Sequence, residues 1–143
     1  MTNSSSNKNN FLPSKHNGLL QGKVLCNRRD FLHVQNKGVR QVMPHFIIQA
    51  AMSQPSSVRV AISYRTGVTA SKKVGNAVAR NRAKRRMRAL LRRLNPTHTL
   101  SGTDYVLVAR HSLIEAGWAE LTVDFSKAVK RIHQKLNETE LQR

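Results

Sequence analysis

The sequence has very few acidic residues and only one cysteine. Its 143 residues include seven Asp or Glu against 25 Lys or Arg, a formal net charge of +18. Because Cys26 is alone, an intrachain disulfide and a cysteine zinc cluster are excluded. No apolar run approaches the roughly 20 residues of a membrane span, and the N-terminus lacks a secretion-signal pattern. We therefore expect a cytoplasmic protein with no membrane partner.

Groups that could carry catalysis are also scarce. The six histidines show no metal-ligand spacing such as two His at i and i+4. The acids Glu115, Glu120 and Asp124 flank the start of a predicted C-terminal helix, where carboxylates complement the helix dipole. The two glycines of residues 67–76 fit neither a P-loop nor a dinucleotide fingerprint. We predict no catalytic residue and no metal bound by the protein.

Positive charge is what the chain has in abundance. Residues 71–93 hold ten Lys or Arg and no carboxylate. No acid lies between Asp30 and Asp104, whereas fourteen Lys or Arg fall in that interval. Repulsion on this scale opposes a compact state unless a polyanion is bound. The pattern favours nucleic acid as the partner, with an anionic membrane surface as the weaker alternative.

The order of predicted elements indicates an α/β (α+β) two-layer sandwich with the order α-β-β-β-α-β-α. We assign residues 1–18 to a disordered tail, 19–136 to a single domain and 137–143 to a C-terminal tail. The predicted elements are a helix over 28–36 ended by Gly38, a strand over 46–52, a turn over 53–57, one or two strands over 58–71 broken near 65–67, a helix over 76–94 ended by Pro96, a strand over 104–110, and a helix from Trp118 or Leu121 to Leu136.

The basic helix is predicted to be amphipathic. At 100° per residue one side carries an apolar stripe of Ala83, Met87, Leu90, Leu91 and Leu94. Arg80 falls close to that stripe, where an unpaired buried guanidinium would be costly. We expect its turn to project past the core or Arg80 to meet an anion.

Residues 71–88, SKKVGNAVARNRAKRRMR, resemble the protein subunit of bacterial ribonuclease P. The likeness consists of a Lys-Lys pair, a Gly-Asn-Ala-Val turn and an Arg-Asn-x-x-Lys-Arg-x-x-Arg helix. RRDFLHVQNKG at 28–38 and DYVLVAR at 104–110 resemble the first helix and the last strand of that family. The resemblance covers about residues 28–136.

The resemblance implies a small basic protein that assists a catalytic RNA in removing the 5′ leader of precursor tRNA. The RNA would perform the hydrolysis and bind most of the Mg²⁺, and no protein partner is implied. It also implies a mixed sheet with a left-handed crossover. The residues implied to contact RNA are Lys72, Lys73, Asn76, Arg80, Asn81, Arg82, Lys84, Arg85 and Arg88.

A cleft between the first helix and the sheet would hold the leader, lined by Phe31, Gln35, Ile47 and Gln49. Gln35 and Gln49 stand where the family often has aromatic residues, which predicts less base stacking and more amide hydrogen bonding. From sequence alone, Phe31 fits a stacking platform and an ordinary core residue equally well. A structural RNA-binding protein, for example a ribosomal one, is the main alternative, and a metal-dependent nuclease is a third.

Overall fold

The computed structural model describes residues 23–25, 27–53, 64–94 and 102–141. Its elements are β1 (Lys23–Val24), α1 (Arg28–Lys37), β2 (Val39–Val42), β3 (Phe46–Met52), β4 (Arg65–Thr69), α2 (Ala77–Leu91), β5 (Thr103–Ala109), a 3₁₀ helix (His111–Glu115) and α3 (Trp118–Leu141). The predictions for the tail over 1–18, Cys26, most of the turn over 53–57, the strand over 58–63 and Pro96 lie outside the described residues.

The five strands form one mixed sheet in the order β1-β4-β5-β3-β2. The middle strand, β5, runs parallel to β4 and antiparallel to β3. Helix α2 connects the parallel neighbours β4 and β5, and this is the crossover for which the resemblance implies a left-handed form. The α/β class and the mixed sheet are thus as predicted, and from α1 onward the helices and strands follow the order α-β-β-β-α-β-α. Strand β1, which precedes α1, was not predicted.

The two faces of the sheet are covered unequally. Alternation along β3 places Phe46, Ile48 and Ala50 in the larger core, together with the apolar faces of α2 and α3. The other face carries a smaller cluster around Val106, which α1 covers with Val34 and Phe31. One side of the sheet is therefore closed by two helices, and the other is only partly covered by one.

Helix α1 is bounded by an asparagine cap and by the predicted Gly38. The side chain of Asn27 accepts a hydrogen bond from the Asp30 amide at 3.2 Å, and Asp30 complements the dipole of the first turn. Gly38 donates its N–H to the Val34 carbonyl at 2.9 Å. Space rather than conformation demands glycine here: an added Cβ would lie 2.5 Å from the carbonyl oxygens of Val34 and Ala50.

The strands around β4 differ from the prediction. The expected break near Arg65-Thr66-Gly67 is wrong, because β4 runs through these residues and pairs with β5 along its length. Gly67 lies within the strand and pairs with Val106. Glycine is needed there because the Phe31 ring occupies the space that a side chain would fill. Strand β2 was not predicted; it is a four-residue edge strand whose side chains alternate between half-buried and exposed.

The two long helices also end differently from the sequence boundaries. Helix α2 stops at Leu91, three residues before the predicted end, although the apolar stripe through Leu94 is buried as expected. Helix α3 continues to Leu141 instead of ending at Leu136, so the segment assigned to a C-terminal tail is helical as far as Leu141. The apolar residues of α3 that recur every three or four positions are buried, namely Leu121, Phe125, Val129, Ile132 and Leu136.

Candidate nucleic-acid interface

The N-terminus of α2 is built by a glycine turn and an asparagine cap. Gly75 has a φ of 146°, a conformation that L side chains rarely adopt. Asn76 then accepts a hydrogen bond from the Ala79 amide through Oδ1 at 2.9 Å. Lys72 and Lys73 are exposed on the turn before this cap. Two cations thus lie beside a helix end whose own dipole attracts anions.

The predicted RNA-contacting residues of α2 itself lie on its outward side. We call this surface the cationic face of α2; it comprises Arg80, Asn81, Arg82, Lys84, Arg85 and Arg88. Four of its members are exposed, and Arg80 and Lys84 are half-buried at its border. The buried stripe fixes the rotation of the helix, so the guanidinium groups point away from the core.

Arg80 is paired with the backbone of the preceding turn. Its Nη1 donates a hydrogen bond to the Gly75 carbonyl at 2.9 Å. This contact explains how a cation is tolerated beside the apolar stripe. A guanidinium has five N–H donors in a planar fork, so Arg80 can hold this carbonyl and still donate toward a phosphate.

Arg86 belongs to the same basic run but has a different task. Its guanidinium donates to the carbonyls of Leu113 and Ala116 at 2.9 and 2.8 Å and also to that of Ile114. It also lies 5.8 Å from the centre of the Trp118 ring. Arg86 therefore joins α2 to the 3₁₀ helix and is not part of the cationic face.

Two of the seven acids, Asp30 and Asp104, are ion-paired in a buried network that the sequence did not reveal. Arg65 on β4 donates to both carboxylate oxygens of Asp104 on β5, at 2.8 and 2.7 Å, and to Asp30 on α1 at 3.2 Å. Ser53 donates to Asp104 at 2.6 Å. The hydrogen bond with Asp104 raises the pKa of Arg65 above its usual value. All remaining acids lie at or beyond Glu115, so none adjoins α2 in sequence.

A cleft of about 590 Å³ lies between α1 and the open face of the sheet. Three of the four predicted cleft residues line it, namely Phe31, Gln35 and Gln49. Ile47 does not line this cavity; it is half-buried on the same face of β3 and pairs with Val108. The sequence did not identify the further lining residues Arg28, Leu32, Val68, Thr69, Ala70, Lys84, Val106 and Val108.

The chemistry of the cleft suits a single nucleic-acid strand. Its apolar floor and the Phe31 ring can contact bases, while the carboxamides of Gln35 and Gln49 can bond base edges. Arg28 and Lys84 supply cations for phosphates. Because Lys84 also borders the cationic face of α2, the two surfaces are continuous.

No group of three or more His, Cys, Asp or Glu side chains that could hold a metal occurs within the described ranges. In the same part of the chain, no helix is long and apolar enough to cross a membrane.

Comparisons with known proteins agree on one family. Residues 19–133 match the family described as Ribonuclease P. The chain is 40% identical over 108 residues to the ribonuclease P protein component of Paramagnetospirillum magneticum, which covers 76% of this chain and 80% of that protein. It is likewise 40% identical over 111 residues to the component of Ruegeria pomeroyi, covering 77% and 86%.

Solved structures share the fold. The ribonuclease P protein of Thermotoga maritima superposes with a TM-score of 0.61 at 26% identity, covering 77% of this chain and 97% of that one. The Staphylococcus aureus protein gives a TM-score of 0.61 at 23% identity, covering 76% and 94%.

Proposed function

The chain belongs to the ribonuclease P protein family, and on that premise we propose how its surfaces serve tRNA 5′-end maturation. It is the protein subunit that partners the ribonuclease P RNA. The cationic face of α2, with Lys72, Lys73 and Asn76 before it, docks on that RNA. The observation that carries this assignment is that Arg82, Arg85 and Arg88 are exposed on one face of α2, with no acid near them in the sequence.

We propose that the RNA subunit performs the phosphodiester hydrolysis and binds most of the Mg²⁺. The part of the protein is electrostatic, since its cations reduce repulsion between two polyanions, the RNA subunit and the precursor tRNA. This role matters most when Mg²⁺ is scarce, and it requires the two RNAs to meet in the cytoplasm.

The cleft between α1 and the sheet takes the 5′ leader of the precursor. Mature tRNA has no leader, so contacts in the cleft add affinity for substrate over product. With one aromatic ring and two carboxamides, this cleft holds bases through hydrogen bonds at Gln35 and Gln49 as much as through stacking.

The docking assignment is tested by Arg82→Ala combined with Arg85→Ala, because both side chains are exposed and the fold should survive. Two lost phosphate contacts should make the log–log salt slope of RNA binding shallower by about 1.4–1.8. Cleavage by the reconstituted holoenzyme should then need more Mg²⁺. Unchanged assembly and cleavage at low Mg²⁺ would contradict the assignment.

The matched control for the docking test is Lys127→Ala with Arg131→Ala, which removes equal charge from exposed positions of α3.

Leader binding in the cleft is tested by Gln35→Ala with Gln49→Ala. This double variant should weaken precursor binding roughly tenfold, since two hydrogen bonds, each with a net value of about 0.5–1.5 kcal/mol, are lost. Binding of mature tRNA should stay the same. An equal loss of affinity for precursor and mature tRNA would contradict the proposal that the cleft binds the leader.

A further inference from the structure

A second cavity, of about 470 Å³, lies between the end of α2 and the middle of α3. It belongs to the helix layer, on the side of the sheet opposite α1. Leu94, Phe125 and Val129 form its apolar floor, and Arg93 and Lys130 stand at its rim. Its volume falls within the roughly 300–1,000 Å³ typical of small-ligand sites. The proposed function uses none of these residues.

The rim brings together two like charges from distant parts of the chain. Arg93 follows α2, Lys130 lies in the middle of α3, and both side chains are exposed. No Asp or Glu is among the described residues that line the cavity. Two cations held near each other repel unless an anion lies between them. The charge of the rim is therefore complementary to a phosphate.

The inner wall of the cavity adds polar groups above the apolar floor. His133 lies there with Nε2 2.7 Å from the hydroxyl of the buried Tyr105, and Ser126 supplies a hydroxyl. Burial lowers the pKa of His133, so at neutral pH its imidazole adds a hydrogen-bonding ring but no charge. Hydroxyl and imidazole groups can bond the edge of a base.

We propose that this cavity binds one unpaired nucleotide of the ribonuclease P RNA. The base lies on the apolar floor, with its edge toward Ser126 and His133, and a flanking phosphate binds Arg93 and Lys130. The partnership with this RNA is the only part of the proposed function on which the inference rests. The site is separate from the cationic face of α2 and from the leader cleft.

The first test is the salt dependence of RNA binding by the full-length protein carrying Arg93→Ala and Lys130→Ala. Relative to wild type, the log–log slope should become shallower by about 0.7–1.8, as expected for one or two lost phosphate contacts. The control Lys127→Ala with Arg131→Ala removes one Lys and one Arg from α3 outside the cavity. Equal slopes for the two double variants would overturn the proposal.

The second test locates the RNA. A photo-crosslinker on Ser126→Cys, in a Cys26→Ser background, should give a discrete crosslink to the ribonuclease P RNA in the holoenzyme. Arg93→Ala with Lys130→Ala should abolish it. A crosslinker on the exposed Gln134→Cys serves as the control for proximity alone. No RNA crosslink from position 126, or the same crosslink from both positions, would overturn the site.

Competition separates RNA from an acidic protein segment. A single-stranded oligonucleotide should suppress the crosslink at position 126, and polyglutamate of equal charge should not. Suppression by polyglutamate alone would overturn the proposal in favour of an acidic peptide. Failure here is distinguishable from failure of the docking assignment, because Arg82→Ala with Arg85→Ala tests a different face.

Discussion

At the scale of single residues, Arg65 connects three elements of the fold. Its guanidinium joins β4 to β5 through Asp104 and to α1 through Asp30, and both carboxylates are almost completely buried. Because Phe31 follows Asp30 directly, this network also sets where α1 lies over the sheet. Arg65 thus positions one wall of the cleft between α1 and the sheet without lining it.

Arg65→Ala should destabilise the protein by about 3–5 kcal/mol, because it leaves buried carboxylates without their cation. The measurement is the free energy of unfolding in urea. Arg82→Ala, which removes an exposed cation, should change that free energy by no more than about 0.5 kcal/mol. A loss below about 1 kcal/mol for Arg65→Ala would show that the network contributes little.

His133 should make stability dependent on pH. Burial lowers its pKa from the ordinary 6.5, so between the two values the unfolded chain binds more protons than the folded one. The free energy of unfolding is therefore unaffected by this titration above pH 6.5, and it decreases as the pH falls from there through the folded pKa of His133. The loss cannot exceed about 1.4 kcal/mol per pH unit for one proton. Urea unfolding of His133→Gln between pH 7.5 and 5 should show a smaller decrease than wild type, and parallel curves would contradict this.

At the scale of elements, α2 divides its cations between two tasks. Arg82, Arg85 and Arg88 are exposed on the outward face, whereas Arg86 holds three carbonyls at and just after the 3₁₀ helix. Neighbours in sequence therefore differ in function because they point in different directions around the helix. A charge count of residues 71–93 cannot separate them.

Arg85→Ala should affect RNA binding alone, and Arg86→Ala should affect stability alone. Arg85→Ala should leave stability unchanged and make the salt slope of RNA binding shallower by about 0.7–0.9. Arg86→Ala should leave the slope unchanged and reduce stability by about 1.5–3 kcal/mol, the value of hydrogen bonds to a charged group. Arg86→Lys should rescue only part of this loss, since an ammonium cannot span the three carbonyls. Thermal unfolding measures the stability and filter binding across salt concentrations measures the slope. A stability loss for Arg85→Ala, or a shallower slope for Arg86→Ala, would contradict this division of roles.

At the scale of the whole molecule, opposite charges are segregated. Asp30 and Asp104 are buried and share one cation, Arg65, and the other five acids lie between Glu115 and Glu140. The cationic face of α2 and the cleft between α1 and the sheet therefore carry positive charge without compensation from nearby acids in the sequence. Such a molecule is destabilised by its own charge and stabilised by a polyanion.

Salt should consequently affect folding and RNA binding in opposite directions. Raising NaCl from about 50 to about 300 mM screens the self-repulsion, so the thermal midpoint should rise. Over the same range the affinity for RNA should fall with a log–log slope near −4, if about five phosphates are engaged. Thermal scans and binding isotherms on the same samples test this. A midpoint that falls with salt would mean that attractive ion pairs dominate.

Local patterns in the sequence predicted much of the fold. The buried faces of α2 and α3 follow the helical spacing of their apolar residues, and Gly38 ends α1 as predicted. The misplaced break in β4 shows where local rules fail. Gly67 indicates an interruption by itself, but in the sheet it provides the space for Phe31 from another element.

By itself, the sequence determined the charge of the partner, the amphipathic helices and the family motif, because each depends on the identity and spacing of nearby residues. Only the tertiary structure decided which cations face outward and which are bound internally, as Arg65 and Arg86 are. It also brought Arg28 and Lys84 into one cleft, and Arg93 and Lys130 to one rim. These pairings join residues distant in sequence through packing of the sheet and helices, which no local pattern encodes.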